Sequence, residues 1–179
     1  KPAPPKLFSK GDYKVEERPD GKYIVVDKVG LTAKVPGGWR VEFEGDDMPD
    51  GTSQYWVNLM SEDAEKKSGI LAKGCGITVT LGYEERNNQD LRRQLLAIKN
   101  KSEDDNIFRP GYQYETYSID GKEGVKWLGK DNDILGQNAG LDIPIDSVET
   151  VGFSSVFPTK DRIICKDSWE NFLKTVNLK

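Results

Sequence analysis

Period-two alternation of apolar and polar residues runs through most of the chain. Leu31, Ala33 and Val35 share one face of "GLTAKVP", while Trp39, Val41 and Phe43 share one face of "WRVEF" and leave Arg40 and Glu42 on the other. The same period marks "QYWVNLM" (54–60) and "CGITVTLGY" (75–83), where Ile77, Val79 and Leu81 fall together. Such alternation predicts half-buried strands. Between them lies "VPGGWRVEF". Pro36 and Gly37 suit the two central positions of a type II turn, Gly38 adds freedom, and Trp39 then reads as the buried anchor of a hairpin.

After residue 86 the period changes. Leu91, Leu95 and Ile98 recur at three- and four-residue spacing with Leu96 beside them, which predicts a helix. Asn87 or Asn88 suits its N-cap, and Lys99 and Lys101 its last turn. Strands resume at Tyr112–Ile119 and return through "EGVKWLG" after Asp120-Gly121, a strong hairpin signal between alternating runs. Gly140–Ile145 and Ser147–Phe157 predict a further pair, the first held to an edge or a strand end by Pro144. The closing "KDSWENFLKTVNL" predicts a second helix, capped by Asp167 or Ser168, with Trp169, Phe172, Leu173 and Val176 in one stripe. About eight strands and two helices imply an α+β domain over residues 11–179, a mostly antiparallel sheet flanked by helices.

Composition narrows the partners. The chain has 179 residues, a net charge of −4 and no basic cluster, which excludes the phosphate-neutralising footprint of a nucleic-acid binder. No run of 18 apolar residues occurs, so no transmembrane segment is expected. The first residue is Lys1, and residues 1–10 open with the Pro-rich "KPAPPK". That start reads as a spacer left after processing and points to an exported or lipid-anchored protein, periplasmic or at the cell surface.

Histidine is absent from the sequence. Its absence removes Ser-His-Asp and Cys-His catalysis and most imidazole-based zinc or copper sites. "GKEGVK", "KGCGI" and "GCGITV" lack the spacing and context of a phosphate loop or a dinucleotide fingerprint, so no cofactor is expected. Two acidic stretches can be read as calcium loops. From Asp46 the twelfth position is Val57, where a bidentate acid is needed. From Asp131, the loop places Asp133 third, Gly136 sixth and Asp142 twelfth, but Leu135 occupies position five and a strand follows where a helix should. A solvated acidic turn explains both as well. Carboxylates could also form a histidine-free hydrolase pair, which needs two acids with opposed proton affinities in one cleft.

Cys75 and Cys165 form the strongest constellation. In an oxidising compartment an even pair without metal partners most simply makes a disulfide; in a reducing one, two buried thiols. Tyr112, Tyr114 and Trp127 are a candidate binding surface, with core packing as the ordinary alternative for sheet aromatics.

The order of these segments carries a resemblance. "GLTAKVPGGWRVE", then strands, a helix, the "IDGKEGVKW" hairpin, a late strand pair and a terminal "WENFLKTV" helix resemble the PsbP/Mog1-like superfamily over roughly residues 27–178. The resemblance implies an antiparallel sheet between helices and a non-catalytic role as a binding or assembly factor. The resulting expectation is a cell-envelope domain that binds an unidentified protein or small ligand. Its alternatives are a carboxylate hydrolase and a calcium-dependent module.

Overall fold

The computed structural model describes residues 8–47, 53–83, 85–102 and 106–179. The alternating runs become strands: β1 (Lys14–Arg18), β2 (Gly21–Val26), β3 (Leu31–Lys34), β4 (Arg40–Asp47), β5 (Ser53–Met60), β6 (Glu65–Lys67), β7 (Ile70–Lys73) and β8 (Gly76–Tyr83). Helix α1 (Glu85–Lys99) follows, then β9 (Gln113–Ile119), β10 (Lys122–Leu128), β11 (Gln137–Pro144), β12 (Glu149–Phe157), helix α2 (Arg162–Leu173) and β13 (Asn177–Leu178). A seven-stranded antiparallel sheet runs β4-β5-β8-β12-β11-β10-β9, a four-stranded one runs β1-β2-β3-β13, and β6 and β7 form a small hairpin.

This arrangement corrects the expected α+β sandwich of a sheet between helices. Strand accounts for 49% of the described residues and helix for 20%, in three sheets with only two α-helices. The four-stranded sheet, not a helix layer, supplies much of the cover for the large sheet. Ile24, Val26, Leu31 and Ala33 of the small sheet join Val57, Ile77, Val79, Leu141 and Phe153 of the large one in a single buried cluster. Helix α2 completes that inner face through Trp169 and Phe172, whose ring meets Phe153 at 5.8 Å.

The "VPGGW" segment is a corner between sheets rather than a hairpin. β3 pairs with β2 and β13, whereas β4 pairs with β5. The turn also lies one residue later than expected: Trp39 N–H donates to Pro36 O at 3.1 Å, and Gly38, at φ +78°, takes the left-handed position. Trp39 is half-buried and packs with Val41 and Phe43 against the core, so the alternation assigned its face correctly.

Other boundaries moved for local reasons. Asp120 and Gly121 both have positive φ (49° and 80°), which matches the right-handed twist of the flanking strands and closes the β9–β10 hairpin as expected. Pro144 is the last residue of β11, beyond the last residue paired with β10, so the interior strand accommodates it. Helix α2 starts at Arg162, ahead of the expected cap, and Cys165 lies inside it. Phe8, assigned to the spacer by composition, is buried in the core.

Cys75 and Cys165 are bonded, with Cα atoms 5.1 Å apart, and tie the start of β8 to α2. Among the described residues no helix is long and apolar enough to cross a membrane.

Candidate functional site

The outer face of the large sheet is where polar chemistry collects. Because side chains alternate, register fixes which residues stand side by side across the strands. One row reads Trp127, Gly140, Ser154, Thr78, Asn58 from β10 to β5. The neighbouring row reads Val125, Asp142, Gly152, Thr80, Trp56. Their inner-face neighbours are the buried aliphatics of the core, so the two faces of one sheet carry opposite character.

Helix α1 roofs part of this outer face. Its expected stripe is present: Leu95 is buried, and Leu91 and Ile98 are half-buried, whereas Leu96 is exposed. Asn88 is not the cap that spacing suggested, since the helix begins at Glu85. It is fully buried and acts as a tether, its amide donating to Glu149 O at 3.0 Å and its oxygen accepting from Arg92 Nε at 2.9 Å. Arg92 reaches on to Asp146 O at 2.7 Å. From the same helix Gln94 donates to Ile107 O at 2.6 Å, which brings the segment before β9 under the roof.

A cavity of about 550 Å³ remains between α1 and the sheet. Tyr112, Tyr114, Trp127 and Arg109 form one wall, Asn87, Leu91 and Gln94 the roof, and Thr80, Asp142 and Thr150 the floor. The three aromatics singled out from the sequence are therefore brought together. Tyr112 lies 5.9 Å from the Trp127 ring and 6.2 Å from that of Tyr114, with Phe108 4.9 Å behind Tyr114. Arg109 sits over the Tyr112 ring at 5.6 Å.

Asp142 is half-buried at the base of this wall. Burial pushes its carboxyl above the ordinary aspartate value, against the Trp127 N–H that donates to it at 3.0 Å and the nearby Arg109 charge. Beside it the Thr150 hydroxyl is buried without a hydrogen-bond partner. A carboxylate, an arginine, hydroxyls and three rings facing one space can orient a small polar ligand against an apolar surface.

The calcium candidates do not converge. Asp131 pairs with Arg162 and Asp133 is exposed on the turn before β11, while Asp142 lies well along β11. Asn132 satisfies that turn from within, accepting from the N–H groups of Ile134 (2.9 Å) and Leu135 (3.0 Å). Among the described residues no group of three or more Cys, Asp or Glu side chains could hold a metal. Residues 48–52 of the loop read from Asp46 lie outside the described residues.

An adjacent pair of acids with opposed proton affinities does exist, at the β11–β12 turn. Asp146 is lowered by the backbone N–H groups of Glu149 and Val148, and Glu149 is raised by burial and then by Asp146. Asp146 is exposed and accepts those two N–H groups at 2.7 and 2.8 Å, a turn-closing role outside the cavity.

Sequence reasoning missed Arg109, Thr80 and Gly140. Only Gly140 left a trace, as a glycine inside a strand, which often marks a close approach. A Cβ there would lie 2.2 Å from the Trp127 ring. Neither a protein-family model nor a curated protein matches this chain.

Proposed function

We propose that this chain is a non-catalytic binding domain of the cell envelope, exported or lipid-anchored, whose ligand occupies the cavity beneath α1. The observation that carries the reading is the convergence of Tyr112, Tyr114 and Trp127 with half-buried Asp142 around about 550 Å³, a volume typical of small-ligand sites. The Cys75–Cys165 bond supports the compartment, because structural disulfides persist where the surroundings are oxidising. The absence of histidine, together with the turn-closing role of Asp146, supports binding over acid–base chemistry. The resemblance to the PsbP/Mog1-like superfamily in element order favours the same non-catalytic role, without its layered helices.

Ligand-observed NMR tests the site. Wild type and Trp127→Ala are each mixed with a panel of monosaccharides, amino acids, nucleosides and short aliphatic amines at millimolar concentration. Saturation transfer to at least one compound, lost in the variant, is the expected result. Transfer equal on both proteins, or none to any compound, overturns the assignment.

A further inference from the structure

We infer that the ligand is a neutral, extended oligosaccharide lying across the outer sheet face, with Trp127 and Trp56 as its two stacking platforms. The inference rests on reading the cavity beneath α1 as a ligand site and extends it beyond that cavity. A second cavity of about 380 Å³ lies over the same face toward the β6–β7 hairpin, lined by Trp56, Asn58, Thr78 and Ser154. Trp127 lines both cavities. Trp127 on β10 and Trp56 on β5 are separated by β11, β12 and β8. Four interstrand spacings of about 4.8 Å place them roughly 19 Å apart, a span for a short chain and too long for one sugar ring.

The floor between the platforms is low and polar. Beyond the Trp127 ring, which lies over Gly140, Gly152 carries no side chain, and Ser154, Thr78 and Thr80 carry small hydroxyls. Hydroxyls both donate and accept, which matches the hydroxyls of a sugar. Both indoles are held by their N–H groups, Trp127 on Asp142 at 3.0 Å and Trp56 on Glu44 at 3.3 Å. These bonds fix the orientation of both rings. For Trp127 one face lies against the Gly140 backbone, leaving the other for the apolar C–H face of a sugar.

Charge argues for a neutral ligand. Lys66 pairs with Glu44 at 2.8 Å and holds its carboxyl below the usual range, Arg109 stands near Asp142, and Asp90, which also lines the first cavity, pairs with Arg93 at 3.5 Å. Neither sign dominates the groove. A peptide would seek a free strand edge for main-chain pairing, and this surface is the face of an already paired sheet. An aliphatic chain would leave the buried Thr150 hydroxyl, which has no partner among the described residues, unsatisfied.

Isothermal titration with chitotetraose and cellotetraose, and with their monosaccharides, tests the inference on the whole chain. A tetrasaccharide should bind at least tenfold more tightly than its monomer. Trp127→Ala and Trp56→Ala should each weaken it about tenfold or more, and Trp39→Phe, on the inner face, should leave affinity unchanged. Trp127→Phe, which keeps an aromatic plane over Gly140, should retain more affinity than Trp127→Ala, which separates platform loss from misfolding. Tetramer affinity equal to that of the monomer, or untouched by Trp56→Ala, overturns the cross-sheet groove and leaves the single cavity standing. Absence of binding by every sugar at millimolar concentration overturns the glycan class. The non-sugar members of the NMR panel then decide separately whether the cavity binds anything.

Discussion

Removing the Cys75–Cys165 bridge should cost a large share of the stability of this domain. The two residues are 90 apart in sequence, and the chain-entropy relation for a loop of that length yields about 4–5 kcal/mol at 25 °C. Both cysteines are buried, so alanine at each position removes only a small apolar atom and the loss is dominated by the cross-link. Against a typical domain stability of about 5–15 kcal/mol the effect is large. At about 2–4 °C per kcal/mol for a chain of this size, the double variant Cys75→Ala/Cys165→Ala should melt roughly 10–20 °C lower. Urea denaturation followed by tryptophan fluorescence measures it directly, because Trp169 sits one helical turn after Cys165 on α2 and reports undocking of that helix. Reduced wild type should match the variant, and both should show a steeper urea dependence as the unfolded chain expands. A loss below about 1.5 kcal/mol would refute loop closure as the source of the stability. Two reactive thiols on denatured, unreduced protein would refute the bridge itself.

Three further outcomes follow from the outer face. Gly140→Ala should cost about 1–3 kcal/mol and shift the tryptophan emission, since the added carbon meets the Trp127 ring at 2.2 Å; unchanged melting and emission would place the ring elsewhere. Asn88→Ala should cost about 1–3 kcal/mol by removing the buried amide that joins α1 to Glu149 O, which keeps only the Ile145 N–H, and by taking the acceptor from Arg92 Nε; it should speed amide exchange across α1 first, and slow exchange retained in α1 would rule out the tether. Asp142→Asn should raise the melting temperature relative to wild type more at pH 7 than at pH 3.5. Burial raises the folded carboxyl above the reference value of 3.8, so its stability contribution is full below that value and is lost as pH rises through the folded one. A difference constant across pH would refute the shift.

The β9–β10 hairpin was legible because everything it needs is local: an Asp-Gly pair with positive φ between two alternating runs. The "VPGGW" corner shows the opposite case. Its residues suit a tight turn, yet β3 and β4 enter different sheets, because β3 finds β2 and β13 at one side and β4 finds β5 at the other. Helix α2 was placed too late since Ile163 and Ile164, in its first turn, are exposed and break the apolar stripe. The calcium reading of Asp131, Asp133 and Asp142 failed to assemble because spacing along the chain says nothing about a strand that carries Asp142 away from the turn.

The candidate site divides in the same way. Alternation assigns Tyr114 and Trp127 to one face of their strands, but not what covers that face. The roof is α1, drawn down by Asn88 and Arg92 onto a turn about 60 residues later in the chain. It leaves a cavity where a second sheet would have left core. By itself the sequence determined the period of most segments, the Asp120-Gly121 hairpin turn and the identity of the two cysteines. Those are set by neighbours a few residues apart. Which sheet each strand joins, that Asp142 meets the Trp127 indole, and that the outer face stays open were decided only in the tertiary structure. Pairing register between distant segments depends on how much apolar surface the whole chain can bury at once, and no local pattern encodes that sum.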